Sequence, residues 1–125
     1  MSILPSLPQP MAEVLVPSGS TLADCWVVCL GDREQLSTTS DGRTIYGDVT
    51  SWIPVLPLPD KLAALAFGER MGAASLSADP DEWGWWPIGD DCPELLELYG
   101  VIDGNDARPE VAIVPLSALV AGGGQ

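Results

Sequence analysis

The sequence predicts an α+β fold, a small and mostly antiparallel sheet with two helices, at about 60–74 and 92–99, on one side of it. Three observations lead there. Short runs rich in β-branched and aromatic residues are separated by turn signals; a single apolar stretch runs at helical length behind a capping aspartate; and a final apolar run, Val111–Val114, follows the turn Asp103-Gly104-Asn105. At 125 residues with 46% hydrophobic content the chain reads as one domain, 1–125, able to build its own core.

Residues 1–11, with Pro5, Pro8 and Pro10, read as an extended arm. Glu13–Val16 is a short strand candidate stopped by Pro17-Ser18-Gly19-Ser20. Cys25–Leu30 is the best strand: Trp26, Val27 and Val28 make a near-continuous apolar run, the pattern of burial on both faces. Gln35–Thr39 and Arg43–Tyr46 flank Ser40-Asp41-Gly42, a hairpin signal. Val49–Val55 continues as strand, and Pro54 assigns its end to a sheet edge. Leu56-Pro57-Leu58-Pro59 reads as a stiff connector.

Asp60 caps a helix running to about Ala74. Leu62, Leu65, Ala66 and Ala73 share one face and Ala63, Phe67, Met71 and Ala74 another, so the helix is expected to be mostly buried. Gly68 and Gly72 weaken it, and their spacing implies close approach by a neighbouring element. Asp79-Pro80-Asp81 opens an acidic loop carrying Trp83, Trp85 and Trp86. A second helix is predicted from Asp91 and Glu94 as a capping pair, Pro93 in the first turn and Gly100 as the stop. Residues 121–125 form a tail expected to fray.

The charge is one-sided: 18 acidic residues against 5 basic, net −13, with no histidine. Ten acids and one base fall between Asp79 and Glu110, so that segment alone carries −9. Such a field repels nucleic acid and anionic membrane and attracts basic surfaces. With no histidine, Ser-His-Asp and Cys-His catalysis are excluded, and no phosphate-binding glycine loop is present. Asp79-x-Asp81 starts like a calcium loop, but the ligand positions after it depart from the pattern, and neither a metal nor a cofactor is expected. In a strand, Cys25 and Cys29 would lie roughly 13 Å apart, too far to bridge, so buried reduced thiols are expected. No apolar run is long enough to span a membrane and no signal peptide is apparent, so the expected location is the cytoplasm.

The run from Val49 to Pro59 (Val-Thr-Ser-Trp-Ile-Pro-Val-Leu-Pro-Leu-Pro) resembles the closing motif of a family of small phage and prophage proteins of unknown function, Val-Thr-His-Trp-Met-Pro-Leu-Pro. Leu7-Pro8 and Val14-Leu15-Val16 match that family's opening. The resemblance covers about the first half of the chain. Ser51 stands where the family has histidine, the family's leading tryptophan is missing, and the proline spacing after Trp52 is longer. It implies a phage or mobile-element origin and a small α+β or β-rich fold, and it supplies no catalytic residues.

Trp26 and Trp52 are assigned to the core. If the 83–86 segment is extended, Trp83 and Trp85 share a face and Trp86 opposes them. Two accounts remain open: core anchoring with one ring partly exposed, or an aromatic hot spot ringed by carboxylates. The acids likewise are either a solubilising surface or a mimic of nucleic acid, since nine charges match about 15 Å of duplex. The expected function is a non-enzymatic, phage-encoded inhibitor or DNA mimic, anti-CRISPR-like, acting in the host cytoplasm. Its partner would be a basic protein surface, including one that normally holds nucleic acid. Asp79, Asp81, Glu82, Asp90, Asp91, Glu94 and Glu97 would supply the charge and Trp83, Trp85 or Trp86 the apolar anchor. The alternative is a structural or assembly protein of a phage virion.

Overall fold

Proline placement and β-branched runs decide where this chain pairs. The computed structural model describes residues 7–76, 79–87 and 94–120, with only the backbone described at 34–35 and 46–50. Helix α1 (Gln9–Leu15) comes first. The strands β1 (Trp26–Thr38) and β2 (Thr44–Leu58) follow, then helix α2 (Lys61–Leu76). The chain continues through β3 (Glu82–Pro87), β4 (Leu96–Ile102), β5 (Asn105–Ala107) and β6 (Val111–Pro115), and a 3-10 turn follows at Leu116–Leu119. All pairing between strands is antiparallel, in the order β2-β1-β6-β4-β3, with β5 also on β4.

β1 and β2 form the predicted hairpin, closing at Thr38 opposite Thr44 around a turn with Gly42 at φ 88°. β2 is an edge strand, as Pro54 requires, because an imide nitrogen cannot donate to a second neighbour. The predicted connector at 56–59 begins later than expected: Leu56, Pro57 and Leu58 still pair with Val28, Val27 and Trp26. An edge position tolerates Pro57 where a central one would not. Val27, Val28 and Cys29 are buried on both faces, between β2 and β6.

Asp60 caps α2 as expected, its Oδ1 accepting from the Ala63 amide at 2.8 Å. The helix is less buried than its composition implied. Leu62 is 78% exposed, and the seam against the sheet is the narrow row Ala64, Gly68 and Gly72. The close approach foreseen at the two glycines is made by β3 and β4. A Cβ on Gly68 would stand 2.7 Å from Cη2 of Trp85, and one on Gly72 would stand 2.7 Å from Cδ2 of Leu98.

Three expectations are corrected. The predicted helix at 92–99 is absent: Leu96–Ile102 is strand β4, lying between β3 on one edge and β6 and β5 on the other. Its residues are apolar at both parities and include Tyr99, Val101 and Ile102, which favours a strand paired on both sides over a helix. The proposed stop, Gly100, lies buried inside it, and Asp91 and Pro93 lie outside the described residues. The second helix is instead α1, where an extended arm (1–11) and a strand (Glu13–Val16) were expected. Pro10 sits in its first turn, where the missing N–H costs nothing. The arm before Leu7 and the tail at 121–125 lie outside the described residues.

The two helices also cover opposite faces. Ala12 of α1 packs with Val27, Cys29, Trp52, Ala112 and Val114, while Ala64 of α2 packs with Val28, Ile113 and Leu98. Neighbours in a strand point to opposite sides, so these are two cores separated by the sheet. Trp52 is fully buried as predicted, whereas Trp26 is half-buried with the Lys61 ammonium 5.1 Å from its ring. Cys25 and Cys29 are buried free thiols.

Candidate functional site: an acidic sheet face

The segment expected to be an acidic loop is an edge strand, and strand alternation sorts its tryptophans. Trp83 and Trp85 pack with α2, and the indole N–H of Trp85 donates to Glu69 Oε2 at 3.3 Å. Trp86 points to the opposite face and is 45% exposed. Its ring meets Tyr99 edge-on, 5.9 Å between centroids. The strand-parity reading of the three rings therefore holds, with core anchoring for two of them and one ring left partly in solvent.

Register then builds the face. Glu82, Gly84 and Trp86 of β3 stand opposite Val101, Tyr99 and Glu97 of β4. On the other edge of β4, Asp106 of β5 pairs with Val101. Residues directly opposite share a face. Glu82, Val101 and Asp106 therefore make one row across three strands. Tyr99 lies directly over Gly84, where any side chain would collide with its ring. Arg108, two residues beyond Asp106, lies 5.9 Å from the Trp86 ring centroid. The result is a concavity of about 450 Å³ lined by Glu82, Trp86, Tyr99, Val101, Asp106 and Arg108. Neither helix covers it, because α1 packs at the β1–β6 end of this face.

The predicted site residues divide three ways. Asp79, Asp81 and Glu82 are exposed at the start of β3. Asp79 is on the α2 side, in a hollow with Glu69, Arg70 and Trp83. Asp81 ties the β4–β5 turn, its Oδ2 accepting from the Asp103 amide at 3.3 Å. Glu94 is exposed in the turn before β4, away from this row. Asp90 and Asp91 lie outside the described residues. Glu97 is a correction: it is 0% exposed and cannot meet a partner. Strand alternation puts it on the same face as Trp86 and Tyr99, but there it is buried and Arg108 clamps it with Nε to Oε2 at 2.9 Å and Nη2 to Oε1 at 2.5 Å.

Tyr99, Val101, Asp103, Asp106 and Arg108 were not singled out as site residues from sequence: Tyr99 fell in the expected helix, and the others lie beyond its stop, where no pairing with β3 was foreseen. The β-favouring Tyr99, Val101 and Ile102 were the available signal. The five bases are all engaged. Arg33, Arg43 and Arg108 pair with Glu110, Asp41 and Glu97, while Lys61 and Arg70 lie over the rings of Trp26 and Phe67. Asp81, Glu82, Asp103 and Asp106 are thus left exposed at the β3–β4–β5 end of the sheet, and Asp79 is exposed on its α2 side. Among the described residues no three potential ligands come together as a metal site, and no helix is long and apolar enough to cross a membrane. No protein-family model matches the chain, and neither does any curated protein or solved structure.

Proposed function

We propose that this chain is a non-enzymatic interaction protein of phage origin whose acidic sheet end binds a basic protein surface. Surfaces that otherwise hold nucleic acid belong to that class, so the protein would act as an inhibitor or DNA mimic in the host cytoplasm, in the manner of an anti-CRISPR. One observation supports this most: Asp81, Glu82, Asp103 and Asp106 are exposed at the β3–β4–β5 end, on a sheet that also exposes Trp86, while the one base in the concavity, Arg108, is paired with Glu97. Unneutralised charge steers a basic partner into contact, and an aromatic ring at the centre supplies desolvated area once contact is made. The phage origin is carried by the resemblance around Trp52 and Pro54.

The test is capture of partners from a bacterial host lysate across a salt series. It is repeated with Asp79, Asp81, Glu82, Asp90, Asp91 and Glu94 neutralised to their amides, leaving buried Glu97 intact. The reading expects a basic protein retained at low salt, released at high salt and lost with the neutralised variant. Retention independent of both salt and the six carboxylates contradicts it, and co-purification with particles at fixed stoichiometry would support a virion component instead.

A further inference from the structure

We infer that the concavity on the β3–β4–β5 face receives the guanidinium of an arginine presented by the basic partner. The inference rests on the function proposed above and names the group recognised. Glu82 and Asp106 flank Val101 in one cross-strand row. Neighbouring strands lie about 4.8 Å apart, so the two acidic residues stand roughly 9–10 Å apart with their side chains on the same side. A guanidinium is planar, with donors on opposite edges, and can bridge two carboxylates leaning inward over the Val101 floor. An ammonium is a point charge and pairs fully with only one of them. Among the described residues no side-chain hydrogen bond or ion pair is made by the carboxylate of Glu82 or of Asp106.

The walls fit the same group. Tyr99 and Trp86 offer aromatic surface beside the row, and guanidinium planes stack on such rings. The chain itself makes this arrangement once on this face: Arg108 lies against Trp86 while its fork holds Glu97. That internal pair cancels its own charge, so Glu82 and Asp106 set the net charge of the concavity. Its volume of about 450 Å³ accommodates a whole side chain with the backbone that carries it.

The experiment titrates the full chain with a nona-arginine and a nona-lysine peptide of equal charge, followed by tryptophan fluorescence at low salt. The expected result is about fivefold or greater preference for arginine, reflecting the second charge-assisted pairing that lysine lacks. Glu82→Gln/Asp106→Asn should bring the two peptides within about twofold of each other. Glu13→Gln/Asp79→Asn removes the same charge elsewhere; it should weaken both peptides and keep the preference. Thermal melts establish that each variant is folded, as expected for exposed positions. Equal affinity of the two peptides for the unaltered chain, or a preference that survives Glu82→Gln/Asp106→Asn, overturns the inference while the acidic-surface reading stands. Absence of salt-dependent binding by either peptide overturns both.

Discussion

Glu97 is charged, fully buried and matched by one arginine fork, so its partner decides what it costs. Removing one member of a buried pair strands the other charge, whereas replacing the carboxylate by an apolar group removes the need for a partner. Arg108→Ala is therefore expected to destabilise the fold by about 3 kcal/mol, the low end for such pairs because Arg108 is partly exposed. Glu97→Leu added to Arg108→Ala should recover a large part of that loss. Urea unfolding of both variants measures this; a double variant no more stable than the single one contradicts it. Cys29 supports a second expectation. Burial pushes its thiol up from 9.0 to about 12, and burial raises Cys25 too, partly offset by a backbone hydrogen bond at Leu58. The native state then holds the Cys29 proton where the unfolded chain has lost it, so this contribution to stability is complete below about pH 9 and falls as pH rises towards 12. In a Cys92→Ser background, native protein at pH 8 should resist alkylation until it is unfolded, as mass spectrometry would show. Rapid labelling of either remaining thiol would contradict the burial.

Between elements, α2 comes close to β3 and β4 through Gly68 and Gly72, against Trp85, Trp83 and Leu98. Gly68→Ala gains about 1 kcal/mol of helix propensity but drives a methyl into a tryptophan ring held by Glu69. Overpacking of this kind costs about 1–3 kcal/mol, so net destabilisation is expected in thermal or urea unfolding. A stabilised variant would show that the helix and strand stand further apart. These elements also show what the sequence made legible. The β1–β2 hairpin, the Asp60 cap, the edge position of β2 and the opposed tryptophans were all written in short-range signals: Asp-Gly, Asp before an apolar run, Pro54, and period-two spacing. β4 was not, because Asp91-x-x-Glu94 imitates a helix start and Leu95, Leu96, Leu98 and Tyr99 fall at both parities, with no clean alternation. Only its pairing with β3, β5 and β6 settles that run as a strand. α1 was hidden for the converse reason: Pro8 and Pro10 suggest extension, yet both are compatible with a helix beginning at Gln9. The site inherited that error, so Glu97 was placed outside and Asp106 and Tyr99 were passed over.

Across the whole molecule, the sheet is covered by α1 and the 3-10 turn at one end of one face and by α2 on the other. Among the described residues, these elements leave open the β3–β4–β5 end of the first face, where Glu82, Asp106, Tyr99 and Trp86 line a concavity beside a self-cancelling ion pair. Charge that merely aids solubility can be spread anywhere; here exposed carboxylates lie beside aromatic surface, and the proposed contact surface rests on that arrangement. The direct measurement is chemical-shift mapping of the isotope-labelled chain during titration with nona-arginine. The account predicts that the Trp86 indole and the Glu82, Val101, Tyr99 and Asp106 amides shift first and saturate together. Changes centred instead on α2 or on the β1–β2 hairpin, with Trp86 unmoved, would contradict it.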